Sequence, residues 1–272
     1  MVSRAASWVS MSLVLATLLS LRTAAATAQL NADLTSPSDA AGGPFDVSPI
    51  AVVIAKGQTS SSVVVRSSGG ESHFTVGGYR WTQDESGKMS FEPADELIFF
   101  PQTFTLSGGK TERIRIGAQG VDPSVEHTYR IIVYQLPPKI DPGQGKRPSI
   151  GMGFSLRVSV PIFVEPSNPK QAVDVALAVV RGDDLGVDVA ATGNIHVPPS
   201  VVHVVATDVN GKSVVDTKSN VWYTLAGTKT HVDVPILHAQ CSQIARVKLD
   251  LQDMLGRPLT TRDVTDPQKN CK

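Results

Sequence analysis

Apolar and polar positions alternate along most of this chain, most densely in Ile150-Gly151-Met152-Gly153-Phe154-Ser155-Leu156-Arg157-Val158-Ser159-Val160. Every second side chain there is apolar, and the intervening ones are Gly, Ser or Arg. An extended strand would carry one greasy face and one small or polar face, whereas a helix would scatter the six apolar side chains around its axis. At about 3.3 Å per residue the eleven-residue stretch runs roughly 36 Å, against about 17–20 Å for an ordinary strand. One sandwich face does not cover that length, so the overhang calls for an apolar partner from outside. A plain core strand is the alternative reading of the same pattern.

The same period predicts strands on both sides of this stretch. In the first half they are Phe45 to Ile54, Ser61 to Arg66, Ser72 to Gln83, Leu97 to Leu106, Lys110 to Gly117 and Tyr129 to Leu136. Turn chemistry separates them at Lys56-Gly57, Ser68-Gly69-Gly70, Glu85-Ser86-Gly87 and Ser107-Gly108-Gly109. Residues 136–148 hold four prolines and two glycines and cannot continue a sheet, so they form a loop that feeds the long strand. That strand runs on to Phe163-Val164, and Pro161, lacking a donor, marks an edge, a bulge or a bend. Glu165-Pro166-Ser167-Asn168-Pro169 reads as a linker. The pattern then restarts as Val173 to Val180, Gly186 to Ala190, Val201 to Asp208, Ser213 to Thr217, Lys229 to Leu237, Ile244 to Leu251 and Leu259 to Asp263, with Asn210-Gly211 the strongest hairpin signal. No helical period competes, and the expectation is an all-β chain of two antiparallel sandwiches.

Charge and composition narrow the function. Lys plus Arg and Asp plus Glu both number 25, giving a net charge of +0, with no basic run to hold nucleic acid. Arg4, the apolar run Trp8 to Leu21 and the small-residue tail Ala24-Ala25-Ala26-Thr27-Ala28 read as a secretory signal peptide over 1–28, followed by a flexible lead-in over 29–44. The apolar run is shorter than the roughly 20 residues that span a bilayer. The mature protein is therefore expected to be exported and not membrane-embedded, in the periplasm where there are two membranes. Cys241 and Cys271 would form a disulfide in that compartment, contributing about 3–4 kcal/mol by loop entropy; without a CxxC or a third soft ligand, catalytic or metal use is the lesser alternative.

The succession Val47-Ser48-Pro49, Tyr79-Arg80-Trp81-Thr82-Gln83-Asp84, Asp95 to Leu106, the Arg-Ile-Arg-Ile of 113–116, and Tyr129 to Pro138 ending Gln-Leu-Pro-Pro resembles the periplasmic chaperones that assemble pili and fimbriae with an outer-membrane usher. The resemblance covers about residues 45–166; the second half, 167–272, is similar chiefly through Gly193-Asn194-Ile195-His196-Val197. It implies two immunoglobulin-like domains set at an angle and a donor strand over 150–160 that fills the groove of an incomplete subunit, a form of β-augmentation. The matching donor residues are Ile150, Met152, Phe154 and Leu156, continued by Val158 and Val160. Four such insertions give on the order of 6–12 kcal/mol before ordering and association costs. The partners implied are a pilus, fimbrial or spore-coat-like secreted subunit and the usher, with no cofactor. Where many relatives place basic residues to anchor the subunit carboxylate, this sequence has Ala51 and Pro161; Arg157, Arg115 and Arg113 are the possible substitutes, against ordinary solvated arginines. These departures place it nearer the archaic, spore-coat-like branch.

Other functions find less in the residues. His73, His127, His196, His203, His231 and His238 show no metal-ligand spacing, and there is no GxSxG elbow, so no enzyme is expected. The remaining alternative is an exported structural or adhesive β-sandwich module, in which 150–160 is only core.

Overall fold

The computed structural model describes residues 44–84, 86–137, 155–181, 184–236 and 243–265. Seventeen strands and no helix form among them. In the first sandwich, β1 (Phe45–Ser48), β3 (Ser60–Ser67), β8 (Thr111–Ala118) and β6 (Leu97–Phe100) make one sheet in the order β1-β3-β8-β6. The facing sheet runs β2 (Val52–Ile54), β10 (Arg157–Val164), β9 (His127–Gln135), β4 (Ser72–Gln83), β5 (Met89–Pro93), with β7 (Thr103–Leu106) also on β4. Alternation supplies the core: Val63 and Val65 from β3, Ile114 and Ile116 from β8, and Tyr129, Ile131 and Val133 from β9 all face inward.

Two expected strands are each divided. Phe45 to Ile54 breaks at the cis Ser48-Pro49 bond, and Leu97 to Leu106 at the cis Phe100-Pro101 bond. Proline cannot donate to a ladder, and the chain changes sheet at each break. Thus β1 pairs antiparallel with β3 while β2 pairs parallel with β10, and β6 pairs with β8 while β7 pairs with β4. The strand β5 was not expected; all five of its residues are exposed, so burial imposed no strong pattern there.

The second sandwich sets β11 (Val173–Arg181), β12 (Asp184–Ala191) and β15 (Lys229–Pro235) against a sheet ordered β14 (Ser213–Val221), β13 (Ser200–Thr207), β16 (Arg246–Asp253), β17 (Pro258–Thr265). Val202, Val204 and Ala206 of β13 and Val247, Leu249 and Leu251 of β16 fill its core with Leu185, Val187 and Val189 of β12. The Asn210-Gly211 hairpin forms as expected: Gly211 sits at φ 81°, and the Asp208 Oδ1 accepts from the Asn210 and Lys212 amides at 2.8 and 2.9 Å. β14 extends past Thr217 through Lys218-Ser219-Asn220, polar residues that an edge strand tolerates.

Candidate functional site

Two features of this architecture carry chemistry: an open strand edge and the junction between the sandwiches. β10 pairs antiparallel with β9 along its whole length, from Arg157↔Tyr134 to Val164↔His127. On its other side β2 begins only at Ile162↔Val52. The ladder to β9 also continues upstream, where the Gln135 amide donates to Leu156 O at 3.0 Å and the Ser155 hydroxyl to Gln135 O at 2.7 Å. Residues 155–161 therefore form, among the described residues, a strand with one occupied edge and one free edge, which is a template for a further strand. Pro161 stands at the last position before β2 joins, where a missing donor costs no ladder bond to that neighbour.

At the junction, β10 changes character. Val160, Pro161, Ile162 and Phe163 are all buried, because both faces of the strand are covered there. Ile162 enters the first core, while Phe163 turns outward into a cluster with Trp81 of β4 and Leu225 and Tyr223 of the second sandwich. Phe163 stacks on the His196 ring with centroids 3.7 Å apart, and Trp81 meets Tyr223 edge-on at 5.6 Å. Polar bonds frame the cluster. The His196 Nδ1–H and main-chain N–H donate to the buried Glu126 carboxylate at 2.8 and 2.9 Å. Gln83 Nε2 donates to Tyr223 O at 2.8 Å, and its Oε1 accepts from the Leu225 amide at 2.8 Å. Asn194 ties the linker down: its Oδ1 accepts from the Lys170 amide at 2.7 Å, and its Nδ2 donates to Ser124 O and Asn168 O, each at 3.0 Å. Both sandwiches belong to one compact unit.

Against this geometry the expected site residues separate into three groups. Ile150, Met152 and Phe154 lie outside the described residues, as do Cys241 and Cys271. Leu156 is 43% exposed beside the free edge. Val160 is not partner-facing: it is fully buried in the chain's own first core, and Val158 packs against the same core. The alternation that would point them at a subunit instead points them inward once the strand is paired to β9. Arg157 projects from the outer face of the β10 sheet, its guanidinium 4.8 Å above the Tyr134 ring. Arg113 and Arg115 are exposed on β8, in the opposite sheet from β10; Arg113 Nη1 donates to Ser62 Oγ at 2.9 Å. Neither is brought to the free edge, because the two sheets of a sandwich face away from each other on their outer sides.

The residue that sequence reasoning missed is Arg130. It lies directly across from Pro161 in the β9–β10 register, is 6% exposed, and holds its guanidinium 3.9 Å over the Trp81 ring. Burial pulls its pKa below the usual arginine value. Burial likewise raises the Tyr223 hydroxyl. Elsewhere in the first sandwich, Arg80 Nε donates to Glu96 Oε1 at 3.0 Å and the Tyr129 hydroxyl to the same oxygen at 3.2 Å. Burial works to raise the Glu96 carboxyl, but the Arg80 hydrogen bond and charge outweigh it and its pKa is lowered. Each described histidine has a local partner: His73 with Thr105, His127 with Asp122 O, His203 with Asp216 and His231 with Asp188. Among the described residues no group of three or more His, Cys, Asp and Glu is placed to hold a metal ion, and no helix is long and apolar enough to cross a membrane.

Residues 45–170 match the family model of the pili and flagellar-assembly chaperone, PapD N-terminal domain. Among solved structures the chain is similar to the class 5 fimbriae chaperone CfaA, with 14% identity, TM-score 0.53, and 82% of this chain and 98% of that one covered. A chain of the Salmonella enterica SafA pilin–SafB chaperone complex matches at 14% identity and TM-score 0.53, covering 82% and 97%. The E. coli chaperone DraB matches at 16% identity and TM-score 0.50, covering 82% and 97%. Curated proteins give no match.

Proposed function

We propose that this chain, whose residues 45–170 match the family model of the pili and flagellar-assembly chaperone N-terminal domain, binds incomplete immunoglobulin-like fibre subunits by lending them its own strand and hands them to an outer-membrane usher. The observation that carries the proposal is the free edge of β10 over 155–161. A strand already paired on one side and open on the other supplies the backbone bonds of β-augmentation, and alternate side chains supply the pockets' contents. The donor side chains are Ile150, Met152, Phe154 and Leu156; Val158 and Val160 belong to the chaperone's own core and act as the rigid root of the donor. Residues 45–166 and 167–272 serve as the two domains, and residues 1–28 direct export to the periplasm, where Cys241 and Cys271 join. The action needs no nucleotide or metal, because the exchange of one strand for a better-fitting one is downhill by itself.

The test is co-purification from the periplasm of the native protein and a Met152→Arg, Phe154→Arg double variant, with mass spectrometry of what accompanies each. Capture of a small secreted β protein by the native form alone, with the variant still folded, is the expected result. Identical partners for both, or none for either, would leave 150–160 without a donor role and return the chain to an exported structural module.

A further inference from the structure

The two faces of the free edge of β10 differ in how much they can say about a docked strand. Leu156 O accepts from the Gln135 amide, so Leu156, Val158 and Val160 turn their main-chain groups to β9, while Ser155, Arg157 and Ser159 turn theirs to the free side. The same alternation sets the side chains of Leu156, Val158 and Val160 on the core face and those of Ser155, Arg157 and Ser159 on the outer face. A strand docked along this edge meets an apolar side chain at every second place on the core side. A slip by one residue turns its apolar set outward and is rejected, but a slip by two leaves apolar opposite apolar. The core face therefore leaves the register open in steps of two.

On the outer face a single residue separates those registers. Ser155 and Ser159 offer short hydroxyls, Pro161 is buried at the junction, and Arg157 carries the one charge. Its side chain is exposed, and its guanidinium lies 4.8 Å above the Tyr134 ring, which holds it along the face of the sheet. Among the described residues no carboxylate pairs with it, whereas Arg80, Arg257 and Arg262 are paired with Glu96, Asp253 and Asp174. Residues directly opposite each other on one face of a strand pair have Cβ atoms about 4.5–5.5 Å apart, so a docked side chain facing Arg157 is within reach of the guanidinium.

We infer that Arg157 sets the register of a strand docked on the free edge of β10 by pairing with an acidic side chain inside that strand. The inference rests on the strand-lending function proposed above and names the chemistry of the subunit's strand. That strand is apolar at alternate places and carries one Asp or Glu on the opposite parity, with small or polar residues two places to either side of it.

The test uses the 15N-labelled mature protein and a nine-residue peptide of alternating Thr and Val, capped at both ends so that it has no terminal charge. The central Thr is replaced by Glu, Gln or Lys, and one end carries a nitroxide. The Glu peptide is expected to bind about two- to fivefold more tightly than the Gln peptide, the scale of one exposed cross-strand ion pair, and the Lys peptide less tightly than either. The nitroxide is expected to broaden one narrow set of β9 and β10 amides with the Glu peptide, and further sets displaced by two residues with the Gln peptide. Arg157→Met should erase both differences, and Arg157→Glu should transfer the preference to the Lys peptide; both changes fall on an exposed side chain and leave the core alone. Ser159→Pro, which removes a main-chain donor of the free edge and no bond to β9, should weaken all three peptides. Equal binding of the three, all weakened by Ser159→Pro, would overturn the inference and leave strand lending intact. A preference for Glu that survives Arg157→Met would assign it to another cation and overturn the inference as well. Binding of none of the three at millimolar concentration would close the free edge to docking, and the inference would fall together with the strand-lending function.

Discussion

Replacing Phe163 by Ala tests whether the two sandwiches are one cooperative unit because of a single aromatic contact. Phe163 is 1% exposed and is the member of the junction cluster that touches everything else: Trp81 at 6.1 Å, Tyr223 at 5.3 Å and the stacked His196 at 3.7 Å between centroids. Removing a buried phenyl ring costs about 3–5 kcal/mol when its surroundings cannot collapse. They cannot collapse easily here, since Trp81 is fixed in β4 while the Tyr223 carbonyl and the His196 ring are held by the Gln83 and Glu126 bonds. The lost contacts join the sandwiches and leave both separate cores untouched, so the damage should appear as lost coupling. Calorimetry is expected to resolve one unfolding transition into two. Leu249→Ala, fully buried in the second core, provides the contrast: it should cost about 2–5 kcal/mol and lower the single transition without dividing it. A Phe163→Ala protein that still melts in a single transition, within about 1 kcal/mol of the native one, would refute this account of the junction.

Two further outcomes follow from the packing. Gly193→Ala puts a Cβ 2.1 Å from Lys170 O and 2.6 Å from Ala172 N, where the linker crosses β12's exit, so backbone must move; a loss of about 1–3 kcal/mol in urea denaturation is expected, and an unchanged midpoint would show that the crossing is loose. Glu96 has its folded pKa lowered, chiefly by Arg80 against the opposing effect of burial. Its contribution is therefore fully present above the ordinary glutamate pKa and is lost as pH falls through the lower folded value. Stability measured from pH 6 down to pH 2 should fall less steeply in Glu96→Gln than in the native protein; parallel curves would remove Glu96 from the acid response.

Much of the fold was legible because burial on one face writes a period of two into the sequence, as in Arg113-Ile114-Arg115-Ile116 of β8. Where the structure departs from the expected strands, the cause is local: prolines 49 and 101 divide two of them, and β5, wholly exposed, left little trace. Pro161 was read as an edge or a bend, and it does stand where β10 changes from one neighbour to two. The junction was harder. Trp81, Phe163, His196 and Tyr223 are scattered over more than 140 positions, and no spacing rule joins them. A signal did exist: Val160 to Val164 and Tyr129 to Val133 break the alternation with apolar or aromatic residues on both parities, which marks a strand covered on both faces. Arg130 inside the second run is the polar exception that such a reading should have singled out.

The crossover of the first strand between sheets has a consequence for size. Because β2 joins β10 at Ile162, the seven residues 155–161 are what remains open within the described chain, a span of about 23 Å. The crossover near Pro49 thus works as a ruler: moved two residues earlier, it would let β2 cover two more residues of β10 and shorten the open span by about 7 Å. The length of any strand docked there is accordingly written more than a hundred residues upstream of the strand that receives it.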